Sequence, residues 1–171
     1  MSEAAAKAGG LREALQWSWR RRLPVILQTE ATECGLASLA MIARYHGHDV
    51  DLPSLRRKYS TSLKGANLAR VMEMAAKLGF ETRPLRLELE ELAELKMPCV
   101  LHWDLNHFVV LRHVTSRGAV IHDPARGVLK LSRVEISKHF TGVALECSPG
   151  AEFKPVKARE SISLRALTGK I

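Results

Sequence analysis

The chain has 171 residues, of which 46% are hydrophobic and 26% are charged, a composition typical of one globular domain with a sizeable core. No apolar run approaches the roughly 20 residues that a membrane span requires, and the first residues lack the apolar core of a secretory signal, so we expect a soluble chain. The net charge is +8, but each terminal stretch (1–24 and 152–171) carries five basic against two acidic residues. This placement disfavours a nucleic-acid-binding face, which concentrates cations on the folded surface.

The N-terminal half of the chain is predicted to be helical. Residues 1–22 form a tail in which Trp17 and Trp19 beside arginines are typical of either a lipid-interface segment or a solvated tail. An apolar, extended piece follows and ends at Gln28. Leucines and alanines then repeat at helical spacing, and glycines or polar caps bound the repeats. The predicted helices run from about Glu33 to Tyr45, from Asp51 to Tyr59 and from Asn67 to Leu78.

The C-terminal half contains short apolar runs broken by turn residues, which is typical of an antiparallel sheet. A short helical turn at Glu90–Lys96 precedes Pro98, and the capping-box spacing of Ser132 and Glu135 opens a short helix to about His139. Because helices come first and strands afterwards, the predicted fold class is α+β. The predicted strands are Thr82–Leu87, Cys99–Trp103, Phe108–Val114, Ala119–His122, Val128–Leu131 and Val143–Cys147.

The three cysteines predict neither a disulfide framework nor a structural zinc site. Their number is odd, and no CxxC or Cys/His pair has zinc-finger spacing. Cys34 opens the first predicted helix, where unpaired backbone N–H groups and the helix dipole favour the thiolate, which is the nucleophilic form. The alternative is that Cys34 is a small buried hydrophobic residue, a common role for free cysteine.

Gln28 precedes Cys34 by six positions. Acyl transfer builds negative charge on the carbonyl oxygen, and a glutamine side-chain amide together with the Cys34 backbone N–H can stabilise that charge. Without Cys34 nearby, Gln28 would be interpreted as an exposed polar residue. The spacing therefore makes Gln28 a candidate oxyanion-stabilising residue.

Seven histidines compete for the role of general base. His107 follows the polar turn Asp104-Leu105-Asn106 and begins an apolar strand, so it should stand at a strand entrance that faces a cleft. His122 is the runner-up. Because neighbouring residues on a strand point to opposite faces, His122 should point away from the site that Asp123 serves.

Asp123 is predicted to orient His107. It ends the Ala119–His122 strand, which should pair with the preceding strand through the turn at Ser116-Arg117-Gly118, so that His107 and Asp123 become neighbours. Asp104 is the alternative carboxylate, and Asp123 could also be a plain turn residue before proline. Glutamine, cysteine, histidine and aspartate in this order are the catalytic residue types of a papain-type cysteine peptidase.

These residues lie in stretches that resemble the C39 peptidase domain of bacteriocin-processing ABC transporters, closest to the colicin V and microcin exporters. The resemblance covers roughly residues 23–150. The stretches that carry it are Gln28-Thr29-Glu30, Glu33-Cys34-Gly35-Leu36-Ala37, Lys64-Gly65-Ala66-Asn67-Leu68, Pro98-Cys99-Val100-Leu101-His102-Trp103, His107-Phe108-Val109-Val110-Leu111, His122-Asp123-Pro124-Ala125-Arg126-Gly127 and Phe140-Thr141-Gly142-Val143-Ala144-Leu145-Glu146.

The resemblance implies a papain-like fold whose nucleophile helix packs on a C-terminal antiparallel sheet. It implies removal of a leader that ends in a double glycine, with Cys34, His107, Asp123 and Gln28 as the catalytic residues and no cofactor or metal for this domain. The partners implied are the precursor peptide and the transmembrane and ATPase regions of a parent transporter, which would use ATP, on the cytoplasmic side of the bacterial inner membrane. Residues 1–22 would be a tail, 23–150 the peptidase domain and 151–171 a linker toward the transmembrane region.

Other interpretations stay open on sequence alone. The domain could be a catalytically silent module that docks cargo, or another Cys-His-Asp acyl transferase such as an amidase; a metal site is the weakest alternative. Trp103 could form one wall of the cleft or lie in the core. The pair Gly9-Gly10 is interpreted as part of a flexible tail, because the large apolar anchors of a leader are missing before it.

Overall fold

The computed structural model describes residues 22–59 and 67–156. Three parts of the sequence analysis therefore lie outside the described residues: most of the tail, including Gly9-Gly10 and the two tryptophans; residues 64–66, which belong to one of the resembling stretches; and most of the predicted linker. The helices are α1 (Cys34–Tyr45), α2 (Leu52–Lys58), α3 (Leu68–Lys77) and α4 (Arg133–His139), with 3-10 turns at Ala31–Glu33 and Leu89–Glu94. The strands are β1 (Phe80–Arg86), β2 (Cys99–Trp103), β3 (His107–Thr115), β4 (Gly118–Asp123), β5 (Gly127–Ser132) and β6 (Phe140–Pro149).

Side-chain caps fix where α2 and α3 begin. Asp51 accepts a hydrogen bond from the Ser54 N–H at 2.6 Å, and Asn67 accepts one from the Arg70 N–H at 2.9 Å. Each cap satisfies a backbone donor that the helix itself cannot pair. The predicted bounds of these helices are confirmed to within one residue.

The strands form one antiparallel sheet in the order β1-β6-β2-β3-β4-β5. The run from β2 to β5 is the predicted antiparallel meander, and the α+β class is confirmed. The insertion of β6 between β1 and β2 was not predicted. It joins the last strand of the chain to two earlier strands whose paired residues lie 37 to 69 positions away (Trp103 with Phe140, Phe80 with Pro149), and local sequence patterns do not encode such a pairing.

Each face of the sheet covers a separate core, and alternation along the strands assigns side chains to them. On β2 and β3, Val100 and Phe108 face the core that contains α1 and α3. Leu101 and Val109 face the opposite core, which includes Ile136 of α4. Among the described residues, no helix has the length and hydropathy to cross a membrane.

Helix α1 packs on β3, and this contact positions the start of both elements. Ser38, one turn after Cys34, is completely buried and its hydroxyl donates a hydrogen bond to the Phe108 carbonyl at 3.4 Å. Phe108 directly follows His107. The packing therefore brings the N-terminus of α1 close to the entrance of β3.

The β4–β5 pair leaves no room for a side chain at Gly118. A Cβ there would lie 1.9 Å from the Leu131 carbonyl oxygen, whereas a Cβ at Gly127, where φ is +88°, would meet no atom within 4 Å. We expect Gly118→Ala to lower the free energy of unfolding by about 3 kcal/mol through overpacking. The control Gly127→Ala should cost only about 1 kcal/mol of backbone strain. Urea denaturation of both variants checks the order, and equal losses would contradict it.

Candidate active site

Cys34 is the first residue of α1 and is 3% exposed. The 3-10 turn Ala31–Glu33 leads directly into it, so the thiol lies at a helix N-terminus as the sequence predicted. Backbone N–H groups in the first helical turn lack partners within the helix and present partial positive charge. A negatively charged sulfur is therefore favoured at this position.

His107 and Asp123 come together through the pairing of β3 with β4. His107 begins β3 and Asp123 ends β4, and the antiparallel register joins these two strand ends despite a bulge between Leu111 and His113. The His107 Nε2 atom lies 2.7 Å from Asp123 Oδ1. The sequence predicted this proximity from the strand order.

The Asp123 carboxylate is buried but well supported. Its side chain is 2% exposed, Oδ1 also accepts the Ala125 N–H at 2.8 Å, and Arg126 Nε lies 3.9 Å from Oδ2. Burial disfavours the charged form, but the hydrogen bonds from His107 and Ala125 and the nearby cations outweigh it, so the pKa of Asp123 lies below its usual range. Asp123 is therefore a carboxylate that can stabilise a neighbouring imidazolium.

His107 links Asp123 to Cys34. The Cys34 side chain interacts with the imidazole through a hydrogen bond and through charge. Because Nε2 faces Asp123, Nδ1 is the ring nitrogen left for the sulfur. Burial opposes the imidazolium, but the bonds to Asp123 and Cys34 and their negative charge outweigh it and raise the pKa of His107 to about 9. His107 is therefore favoured as the imidazolium at neutral pH, next to the Cys34 side chain.

The extended segment that carries Gln28 is fixed to the end of β4 at two points. The Gln28 N–H donates to the Pro124 carbonyl at 2.8 Å, and His122 Nδ1 donates to the Pro24 carbonyl at 2.9 Å. These two contacts flank Asp123 in the sequence. The backbone of Gln28 is thus held beside the turn that follows Asp123.

The Gln28 side chain has an unused hydrogen-bonding end. Its Oε1 atom is buried and has no hydrogen-bond partner among the described residues. The oxygen and nitrogen of a carboxamide occupy nearly the same space, so rotation of the amide by half a turn places its N–H₂ donor where the oxygen lies. The amide is therefore available to donate to a bound ligand.

The two alternative site residues are engaged elsewhere. His122 is 2% exposed and is occupied by the Pro24 carbonyl, and burial lowers its pKa. Asp104 Oδ1 lies 2.6 Å from His139 Nδ1.

Trp103 is 2% exposed and stacks on His139, with ring centroids 5.4 Å apart. Of the two interpretations that the sequence left open for Trp103, burial favours the core residue.

Sequence reasoning did not single out Glu33 or Arg56. The Glu33 side chain is completely buried directly before Cys34 and forms an ion pair with Arg56 of α2. Charged residues are rarely buried unless they are paired. A glutamate directly before an apolar helix was the available signal, whereas nothing local in the sequence identifies its partner.

The other two cysteines lie in different surroundings. Cys99 and Cys147 are buried in the sheet, where burial raises the pKa of the Cys99 thiol strongly and that of Cys147 to about 12. Both therefore favour the unreactive thiol form. Within the ranges that the structure describes, no group of three or more His, Cys, Asp or Glu side chains is arranged to hold a metal ion.

Comparison with known proteins identifies related sequences. The peptidase C39 family profile matches residues 22–152. The chain is 55% identical over 157 residues to the probable microcin-H47 secretion/processing ATP-binding protein MchF of Escherichia coli, and 54% identical over 157 residues to the colicin V secretion/processing ATP-binding protein CvaB of Escherichia coli. Each alignment covers 92% of this chain and 22% of the relative, so the chain spans about a fifth of the length of these relatives.

Solved structures show the same fold. A double-glycine-motif protease from an AMS/PCAT transporter, crystallised in complex with the leader peptide, matches with a TM-score of 0.71 at 40% identity and covers 76% of this chain and 94% of that chain. The peptidase domain of Streptococcus ComA, a bifunctional ABC transporter, matches with a TM-score of 0.68 at 27% identity. This match covers 75% of this chain and 99% of that chain. These likenesses confirm the predicted papain-like α+β fold.

The raised pKa of His107 predicts a pH effect on stability. Its folded-state pKa of about 9 exceeds the ordinary 6.5, so its proton stabilises the fold fully below about pH 6.5, and this contribution is lost as the pH rises through about 9. We expect Asp123→Asn to lower the pKa of His107 by roughly a unit or more, and the decrease in the free energy of unfolding between about pH 6.5 and 9 should become smaller. NMR titration of the imidazole and urea melts across this range measure both effects.

The matched control is Asp104→Asn, which removes a carboxylate that contacts His139 rather than His107. Asparagine also tolerates the positive φ of 49° at that position. The control should leave the His107 titration unchanged. A His107 titration in Asp123→Asn that coincides with that of the unmodified chain would contradict the assigned cause.

Proposed function

The chain belongs to the peptidase C39 family, and on this premise we propose that it is a cysteine endopeptidase that removes a double-glycine leader from a bacteriocin- or microcin-type precursor before export. The observation that carries the proposal is the arrangement of Cys34 at a helix N-terminus, against His107, which Asp123 holds at 2.7 Å. A protease of this fold, crystallised with the leader peptide and 40% identical, supports the substrate class.

Cys34 is the proposed nucleophile. Its thiolate attacks the carbonyl carbon of the second leader glycine, and the carbonyl electron pair moves to the oxygen as the C–S bond forms. His107, as the imidazolium, then protonates the departing amine, and the C–N bond breaks to leave a thioester. Water attacks this thioester while His107 accepts its proton. The C–S bond breaks, the thiolate–imidazolium pair is restored, and the leader leaves as a carboxylic acid that releases its proton to solvent.

Gln28 and the Cys34 backbone N–H are the proposed donors to the oxyanion. The unpartnered end of the Gln28 amide supports this role, because a buried polar atom without a partner is costly until a ligand pairs with it. Asp123 is proposed to hold the ring of His107 with Nδ1 toward the sulfur. It also stabilises the imidazolium through both steps.

Burial of the reacting groups is consistent with glycine at the cleavage site. Cys34 is 3% exposed and the His107 side chain 17%, so little surface is open to an approaching peptide. A glycine carries no Cβ, and its carbonyl can approach a recessed sulfur more closely than that of any other residue. This is the proposed physical basis for cleavage after a double glycine.

The proposed setting is an exporter. The named relatives are secretion/processing ATP-binding proteins several times longer than this chain. We propose that residues 23–150 form a peptidase domain on the cytoplasmic side of the inner membrane, and that the region after residue 150 connects it to transmembrane and ATPase regions. ATP would serve the ATPase region, and the proposed hydrolysis of the peptide by Cys34 and His107 requires neither cofactor nor nucleic acid.

Cleavage of a synthetic precursor with a double-glycine leader tests the proposal directly. We expect the unmodified chain to cut after the second glycine, as mapped by mass spectrometry, and Cys34→Ala to show no cleavage. Gln28→Ala should lower kcat by about 10²–10³ with little change in KM, because its donor acts on charge present only in the transition state. Asp104→Asn is the control and should retain activity.

Three outcomes would contradict this assignment. Equal cleavage by Cys34→Ala would remove Cys34 from the mechanism. Leader binding without cleavage by the unmodified chain would instead favour the catalytically silent docking module. Cleavage of simple amides in preference to the double-glycine precursor would point to a different acyl transferase.

Iodoacetamide reactivity provides a test that needs no substrate. At neutral pH we expect Cys34 to be alkylated at least tenfold faster than Cys99 or Cys147, since it is activated by His107 whereas burial keeps the other two thiols protonated. His107→Ala should slow the labelling of Cys34 and leave the other two unchanged. Peptide mapping by mass spectrometry distinguishes the three sites. Comparable labelling of all three would be inconsistent with an activated Cys34.

A further inference from the structure

An ion pair between a buried carboxylate and a partly exposed arginine adjoins the proposed nucleophile in the sequence. Glu33 precedes Cys34, and its side chain is completely buried. Its carboxylate accepts the backbone N–H groups of Thr29 and Glu30, each at 3.1 Å, and both Nε and Nη2 of Arg56 in α2, the latter at 3.0 Å. A single carboxylate thus joins three elements of the structure at the base of the site.

The backbone bonds of Glu33 close the loop between the two proposed oxyanion donors. Thr29 and Glu30 directly follow Gln28, and Glu33 directly precedes Cys34. The far side of Gln28 is held by the Pro124 carbonyl. The position of Gln28 relative to the Cys34 N–H therefore depends on the Glu33 carboxylate.

The charge of Glu33 also requires a partner for a chemical reason. A lone carboxylate next to Cys34 would repel both the thiolate and the oxyanion that forms during the reaction. Arg56 cancels that charge with two hydrogen bonds, and a guanidinium remains protonated at any pH at which the protein is folded. Hydrogen bonding to Arg56, opposed by burial, accordingly lowers the pKa of Glu33.

We propose that the Glu33–Arg56 ion pair is a positioning device for the reaction, a role that rests on the proposed peptidase function. Glu33 sets the geometry of the Gln28–Cys34 loop, and Arg56 neutralises the negative charge of the carboxylate so that it does not repel the thiolate. Neither residue needs to touch the substrate.

Replacing Glu33 and replacing Arg56 should have opposite effects on the charge state of Cys34. Glu33→Gln keeps an oxygen that can accept the Thr29 and Glu30 N–H groups but leaves the cation of Arg56 uncompensated. Arg56→Met leaves the anion of Glu33 uncompensated. The first change should favour the Cys34 thiolate and the second should disfavour it. The other charged groups around Cys34, namely His107, Asp123, Arg126 and the Glu30 carboxylate beside Arg56, remain the same in both variants.

The experiment measures the rate of Cys34 alkylation by iodoacetamide against pH on the full chain. We expect the midpoint of the profile to move down by about half a pH unit or more in Glu33→Gln and up by a similar amount in Arg56→Met. The double variant should return close to the unmodified value. With a precursor that is cleaved, kcat should fall about tenfold or more in Arg56→Met, with KM within about twofold, because positioning acts on the transition state.

Arg57→Met is the matched control. Arg57 lies next to Arg56 on α2, is exposed, and its Nη2 donates to Ser54 Oγ at 2.9 Å rather than to Glu33. It should change neither the alkylation profile nor kcat. Arg56→Lys keeps the charge without the paired bonds, so it should restore the alkylation midpoint but recover only part of kcat. It also serves if Arg56→Met fails to fold.

Shifts of the two single variants in the same direction, or no shift in either of two folded variants, would overturn the proposal. A loss of activity that merely tracks the loss of unfolding free energy, with the alkylation profile unchanged, would assign the pair a structural role only. The alkylation readout needs no leader peptide. Failure of the unmodified chain to cleave any double-glycine precursor would therefore contradict the proposed function, while the alkylation profiles would still decide the role of Glu33 and Arg56.

Discussion

The buried carboxylate of Asp123 is the constraint on which the arrangement of the site depends. A charge that is 2% exposed is tolerated only if nearby groups replace the water it has lost. His107, the Ala125 N–H and, more distantly, Arg126 supply that replacement. The same contacts fix the imidazole with one nitrogen turned toward Cys34. Stabilising the carboxylate and preparing the imidazolium are thus one physical requirement.

Attachments on both sides of the sulfur keep these groups in register. The segment up to Gln28 is tied to the end of β4 through the Pro24 and Pro124 carbonyls, and Ser38 ties α1 to β3 beside His107. Each attachment uses a backbone carbonyl of one partner, whose position is set by the chain fold rather than by a side-chain rotamer. Gln28 and the proposed nucleophile Cys34 lie six positions apart, whereas His107 comes from the sheet, and short polar contacts connect the two regions.

The sequence predicted the parts of this structure that depend on local patterns. Caps and apolar periodicity located α1 to α3, and the meander placed His107 near Asp123 because adjacent strands joined by a short turn pair with each other. The position of β6 between β1 and β2 and the pairing of Glu33 with Arg56 depend on contacts between distant residues, which no local pattern specifies. Trp103 was ambiguous for a similar reason. Its burial is decided by α4, whose His139 stacks on it from 36 positions away.

Two buried carboxylates belong to the proposed site: Asp123 bonds to His107, and Glu33 directly precedes Cys34, the proposed nucleophile. The difference between their partners explains why both can be present. Asp123 is paired with a histidine, whose proton can be released and recovered at each step of the proposed acyl transfer. Glu33 is paired with an arginine, which holds its protons throughout. If Glu33 also faced a histidine, loss of that proton would place a bare negative charge beside the thiolate. A partner with a fixed charge leaves titration to the imidazole that the proposed mechanism uses, and the ion pair proposed to hold the loop between Gln28 and Cys34 keeps its charges as the pH varies.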